Sequence, residues 1–431
     1  MPLLIEAFPR RDGELRCGSL TVKEVARDFG TPLYLYDAAV IDDRVRAFQE
    51  AFHEVDLLLA YSVKANGSLA LLNRLSRLGC GADIVSGGEL FRALRAGIPA
   101  DRIVFAGVGK TAGELESALE AGIRAIHVES EAELHLLEAL ARGAGRVAPV
   151  SIRINPDILA PTPHEYTRTG HAASKFGVPV PAALELYRWA AERDALAIKG
   201  VDVHLGSQID QVEPYVQALE GALDVLKELR DLDTSPDYVD LGGGFGVPYR
   251  GDGHLGPEAL AEAVVPRVRE ADVSLILEPG RGVTAEAGIL VTRVLHVKEQ
   301  GGRTFVITDA GMTDLLRPSH YAGVHPIEPV IEPRGRETRM VDVVGPLCEN
   351  GDFLGREREL PLPLPGELLA VKVAGAYGFV MAMNYNGRPR PPEVLVDGDR
   401  AVLIRKRERY EDLVRGEVVP TPTRVGARPE G

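Results

Sequence analysis

Cysteine is scarce in this chain: Cys17, Cys80 and Cys348 are the only thiols in 431 residues. Three cysteines cannot build a disulfide framework, and no Cys or His spacing resembles a zinc site, so no metal is expected. Long hydrophobic runs are also missing, and none approaches the length of a membrane span. The opening stretch "MPLLIEAFPRRDG" has no basic region followed by a long apolar one, which predicts no secretory signal. Positive charge is in deficit: 49 Lys and Arg stand against 63 Asp and Glu, a net charge of −14. That balance argues against a nucleic acid or an anionic membrane as partner. The one basic-looking stretch, "RKRERY" (405–410), is mixed with acid and reads as a solvated strand edge. No internal repeat is visible. The expected compartment is a reducing cytoplasm.

What is present is ordinary for a soluble globular enzyme, with 45% hydrophobic and 26% charged residues. The length leaves room for two domains. Short apolar β-like runs recur at 56–63, 81–86, 102–107, 125–130, 150–155, 200–206, 237–244 and 274–280, separated mostly by segments of helical periodicity. Eight such runs suggest a (β/α)8 barrel of the TIM type, although an open doubly wound sheet also fits the alternation. Polar or glycine residues gather just after many of the runs, and this favours the barrel, whose C-terminal strand ends form the active-site face. Beyond about residue 285 the texture becomes β-rich with turns. The expected organisation is an N-terminal segment (1–29) pairing with a β-domain, a barrel (30–285), an all-β domain (286–418) and a disordered tail (419–431).

Two nucleotide motifs are approached and missed. "FAGVGKT" (105–111) would need Gly at position 104 to be a P-loop, and Val104 stands there. "GGGFGV" (242–247) would need Gly at 247, where the residue is Val247. Each remaining candidate has an ordinary structural reading when taken alone. Lys64, ending the run "LLLAYSVKAN", could lay its stem on the core and its amine in water. Gly242 to Gly244 could be a tight turn, His204 a satisfied core histidine, and Glu278 with Arg281 in "LILEPGRGV" a salt-bridged strand end. Taken together, a lysine, two glycine-rich strand ends, a histidine and a carboxylate at one barrel mouth are the inventory for pyridoxal 5'-phosphate (PLP). The lysine bonds the aldehyde, glycine N–H groups hold the phosphate, and the carboxylate keeps the ring nitrogen protonated.

With those residues assembled, the chain resembles the diaminopimelate decarboxylases, fold-type III PLP enzymes with an alanine-racemase-like barrel and a C-terminal β-domain. The motifs that carry the resemblance are "YSVKAN", "GADIVSGGEL", "TGHAASKFGV", "HLGSQI", "DLGGGFG", "EPGR", "RPSHYAGVHPI", "GPLCENGDFL" and "GAYGFVMAMNYN". It implies that Lys64 is the Schiff-base lysine and that His204 stacks on the cofactor ring. Ser207, Gly244 and the backbone of Gly280 and Arg281 would hold the phosphate, helped by Tyr377, Gly243 would also bind the cofactor, and Glu278 would pair with the ring nitrogen. Asp83 and Arg153 would support the lysine. Arg281, Arg317, Tyr321, Glu349 and Tyr377 would contact substrate, and Cys348 would donate the proton, supplied with Glu349 by the partner subunit of a homodimer.

The reaction implied is decarboxylation of meso-2,6-diaminopimelate to L-lysine, the last step of lysine synthesis. A substrate ending in a second amino-acid head needs a cation for its distal carboxylate and an anion for its distal ammonium, which Arg317 and Glu349 would supply. The nearest rivals are decarboxylases of the same scaffold acting on carboxynorspermidine or on a carrier-tethered amino acid. A racemase would carry an arginine in place of Glu278. A non-catalytic PLP-binding protein would be a single small barrel. The segment "TGHAASKFGV" is a candidate to close over substrate.

Overall fold

The computed structural model describes residues 5–158, 162, 174–232, 234–249 and 254–420. The first five residues of "TGHAASKFGV" and most of the tail lie outside the described residues.

Eight parallel strands close into a ring: Leu57–Ser62, Gly81–Ile84, Ile103–Phe105, Ala125–Val128, Ala148–Asn155, Leu196–Val203, Tyr238–Asp240 and Ser274–Leu277. Ser274–Leu277 pairs back onto Leu57–Ser62, so no edge is left open. The alternation therefore resolves as a barrel and not as an open sheet. The strands are short and most of their apolar residues are buried, as expected where helices cover the outside and side chains fill the inside.

Helix starts follow local chemistry. Ser86 and Ser130 accept hydrogen bonds from the N–H groups of Glu89 and Glu133, and Thr111 with Glu114 forms a capping box. The helix Ala38–Ala51 precedes the first barrel strand and packs against Pro257–Ala271, completing the outer layer.

The second sheet is built on the long strand Gly288–Gln300, which pairs antiparallel with Arg303–Thr308, Leu368–Val371 and Leu33–Asp37. Leu33–Asp37 falls within the span 30–285 expected for the barrel, and here the boundary needs correction. This strand lies between Gly288–Gln300 and Glu393–Asp397, so its backbone groups are satisfied in the β-domain. Its sequence, "LYLYD", cannot reveal which sheet it joins, because both would bury it. The N-terminal residues form a three-stranded sheet. Leu15 N–H donates to the Val330 carbonyl at 2.9 Å, and Phe8, Leu15 and Cys17 share a core with Val291, Val330 and Val394.

"RKRERY" is more engaged than a solvated edge. Arg405 pairs with buried Glu393, Arg407 donates to the Pro32 carbonyl, and Glu408 pairs with Arg390. Lys110, from the near-miss P-loop, is fully buried and donates to the carbonyls of Gly107 and His127 and to Glu133 Oε1. It ties neighbouring barrel elements together.

Candidate active site

Lys64 sits in a single turn, Val63–Ala65, immediately after the first barrel strand. Its Nζ donates to Asp83 Oδ2 at 2.8 Å, and 33% of its side chain is open. Burial works against its charge, but Asp83, Glu278 and Tyr377 outweigh burial and raise its pKa. Asp83 is buried at the end of the next strand, and its Oδ1 has no hydrogen-bond partner. The Ser62 hydroxyl lies 2.8 Å from Asp83 Oδ2 and 2.9 Å from the Glu278 carbonyl oxygen. The chain after Lys64 is stitched to the β-domain. Tyr377 N–H donates to the Ala65 carbonyl at 2.8 Å, and Asn66 Nδ2 donates to Gly375 at 3.0 Å. Those bonds bring Tyr377 beside the lysine, and it holds the uncommon backbone φ of 54°.

Across the mouth, His204 and Glu278 meet, with Nδ1 and Oε2 3.6 Å apart. Gly243 N–H donates to His204 Nδ1 at 3.2 Å, so that nitrogen is an acceptor and the imidazole is neutral. Burial, then Arg153 and Lys64, push His204 down to about 3. The Gly243 N–H is thus directed to the imidazole. Its neighbour Gly244 has φ 94°, and a Cβ there would run into the Gly206 carbonyl. Arg153 stands on the histidine side, bonded to Glu129 Oε1 at 3.0 Å and to the His204 carbonyl at 3.4 Å. It supports His204 more directly than Lys64.

Beneath Glu278 lies a group that the sequence does not announce. One ligand-type atom from each of His127, Asp202, Asp240 and Glu278 falls within 4.8 Å of the others, and all four residues are buried. Burial opposes the charges of His127 and Asp202, but their mutual attraction at 3.4 Å raises the histidine and lowers the aspartate. Burial, then Glu278 and Asp202, hold Asp240 well above the usual carboxylate range. Strand alternation alone hides the cluster, because a single Asp or His in a strand is unremarkable.

On the β-domain side, Arg281 donates to Tyr249 Oη at 2.6 Å and to Ser207 Oγ at 3.1 Å, and stacks on Tyr377 at 4.7 Å. Arg317 is buried and lies 4.5 Å over the Tyr249 ring. Tyr321 is near enough to favour the charge of both arginines. Sequence reasoning missed Tyr249 and His325, although His325 stands inside the quoted "RPSHYAGVHPI". Cys348 and Glu349 are exposed, in the loop between Thr338–Val344 and Phe353–Pro361. Among the described residues, no hydrogen bond or ion pair joins either to the Lys64 group.

A family profile, "Pyridoxal-dependent decarboxylase, pyridoxal binding domain", matches residues 38–285. Over 418 residues the chain is 45% identical to the diaminopimelate decarboxylase of Aquifex aeolicus, covering 96% of this chain and 99% of that one. The chain belongs to the diaminopimelate decarboxylase family. The Pseudomonas aeruginosa enzyme of that name is 44% identical over 413 residues, 96% of this chain and 99% of its own. The Helicobacter pylori enzyme, solved with L-lysine bound, superposes with a TM-score of 0.88 at 41% identity, covering 91% of this chain and 98% of that one. The M. jannaschii enzyme, also solved with L-lysine, gives 0.90 at 37% identity, with 95% and 97% covered.

The residues present fit PLP. Glu278 Oε1 is buried without a partner, as suits a carboxylate facing a ring N–H. A Cβ at Gly242 would stand 2.5 Å from His204 Nδ1, so glycine there lets the backbone pass close to the imidazole expected to face the cofactor ring.

Proposed function

We propose that this chain decarboxylates meso-2,6-diaminopimelate to L-lysine. The observation that carries the reading is the buried Arg317 guanidinium, which has no carboxylate partner among the described residues. A buried, uncompensated cation is costly unless a ligand completes it, and the distal carboxylate of this substrate would do so. Because the product keeps its L centre, the D centre is the one that loses carbon dioxide.

Bound PLP supplies an electron-accepting ring for the carbanion left by departing carbon dioxide. Lys64 Nζ would hold the cofactor, and Asp83, 2.8 Å from it, would keep that nitrogen in place. Glu278 would hold a proton on the ring nitrogen, and neutral His204 beside it would add no competing charge. Ser207, Gly244, Gly280 and Arg281 would bind the phosphate. Tyr321 and Tyr377 line the substrate's path. Glu349 of a second copy pairs with the distal ammonium, and Cys348 of that copy delivers a proton from Sγ to the carbon. The exposure of both residues in one chain supports a two-fold dimer with shared sites. Three free cysteines and no helix among the described residues long and apolar enough to span a membrane agree with a cytoplasmic setting.

The test is to incubate PLP-loaded protein separately with meso-diaminopimelate and carboxynorspermidine and to assay lysine and carbon dioxide. Lysine from the first and no turnover of the second supports the reading. Preference for carboxynorspermidine would reassign the substrate.

A further inference from the structure

His325 is fully buried and has two ring nitrogens with different tasks. Nδ1 lies 2.9 Å from the Lys372 carbonyl oxygen, which can only accept, so Nδ1 carries the hydrogen. That leaves Nε2 with a lone pair, 2.8 Å from Arg317 Nη1, which can only donate. The tautomer is thus set by its partners, and a protonated ring would turn an N–H toward the guanidinium. The ring of Tyr249 stands edge-on to His325, with centroids 5.2 Å apart and planes at 75°. Arg317 lies over the same tyrosine ring, whose hydroxyl accepts from Arg281. Two guanidiniums are therefore gathered around one aromatic ring. One of them is held from behind by an imidazole anchored to the backbone.

We propose that His325 and Tyr249 are specificity-determining positioning residues: His325 Nε2 fixes the rotation of Arg317 against the Tyr249 ring so that its free edge meets a distal carboxylate. This rests on the reading of Arg317 given above and adds what orients it. A guanidinium free to rotate would still attract an anion, but it would lose the paired, planar contact that distinguishes a carboxylate from other groups. The selected substrate class is therefore an amino acid with a second α-carboxylate at its far end, and a plain diamine gains nothing from the device.

The experiment measures binding of L-lysine and of 1,5-diaminopentane to PLP-loaded protein, with KM and kcat for meso-diaminopimelate. These are compared in wild type, His325→Leu and His325→Gln. Leucine fills the space without an acceptor, whereas glutamine can place an amide oxygen near the Nε2 position. His325→Leu should weaken L-lysine about tenfold or more, the loss expected for a hydrogen bond to a charged group, and leave 1,5-diaminopentane within about twofold. Its KM should rise more than its kcat falls, and His325→Gln should recover most of the L-lysine affinity. Equal weakening of both ligands, or no recovery in the glutamine variant, would overturn the proposal in favour of a general packing role. Unchanged L-lysine binding in His325→Leu would overturn it as well. If wild type itself neither prefers L-lysine to the diamine nor forms lysine, the substrate reading fails first, whatever the variants do.

Discussion

At Lys64 the side chain faces opposed demands. Its nitrogen must lose a proton to bond an aldehyde carbon, yet Asp83 and Glu278 favour the ammonium. To hold the cofactor the amine would first have to give up a proton, and the buried carboxylates would then favour a cationic nitrogen at the same place. Borohydride reduction of PLP-loaded protein should therefore fix the cofactor to Lys64, with peptide mapping as the readout. Lys64→Ala should show no covalent label, and a label on any other lysine would remove Lys64 from its role. The near-miss lysine makes a useful contrast: Lys110 is buried more completely, but its donors are already bonded to Gly107, His127 and Glu133. Burial of a lysine is thus not the functional signal; an open amine with a carboxylate behind it is.

The turn Val63–Ala65 has to pass very close to the strand end that carries Glu278. A Cβ on Gly280 would stand 2.9 Å from both Ser62 Cβ and Ala65 Cβ, closer than packed carbons allow. Gly280→Ala should therefore destabilise the fold by about 1–3 kcal/mol, as overpacking does. It should also weaken PLP binding, because relief requires the lysine turn to move. Urea unfolding and PLP titration check the two effects. Adding Ala65→Gly should restore part of both, and failure of that rescue would mean that the clash is relieved elsewhere. The β-domain takes part in the same element: Tyr377 and Gly375 bond to residues 65 and 66, so a second sheet positions the turn of the first.

For the whole molecule, complementation between chains tests the shared sites. Lys64→Ala and Cys348→Ala proteins should each be inactive alone. When equal amounts exchange freely, half the dimers are mixed and each holds one intact site, so activity should recover to roughly a quarter of wild type. No recovery despite demonstrated exchange would show that Cys348 serves its own chain. Acid sensitivity is a second global property. His204 and His325 are both pushed down to about 3, chiefly by burial. The unfolded chain takes up these protons first, so stability is lost as pH falls from about 6.5 toward about 3, by about 1 kcal/mol per histidine between about pH 7 and pH 5.5. His325→Gln should show a loss about 1 kcal/mol smaller over that interval in urea unfolding. An unchanged slope would mean that His325 already binds a proton in the folded protein.

Strand and helix order, the lysine at a strand end and the glycine run at 242–244 were all legible in the residues, because apolar periodicity and backbone sterics act between near neighbours in the chain. The site roles drawn from the resemblance added Arg317, Cys348 and Glu349, residues with no local signature of their own. Three things could be decided only by the tertiary structure. Leu33–Asp37 joins the β-domain, since an apolar strand carries no label for the sheet that will satisfy its backbone. His127, Asp202 and Asp240 converge under Glu278, since closing a barrel brings distant strands to one interior. Tyr249 and His325 clamp Arg317, since that contact spans barrel and β-domain. In each case the partners lie far apart in sequence, and what selects them is the burial of hydrogen-bonding and charged groups that must find one another once water is excluded.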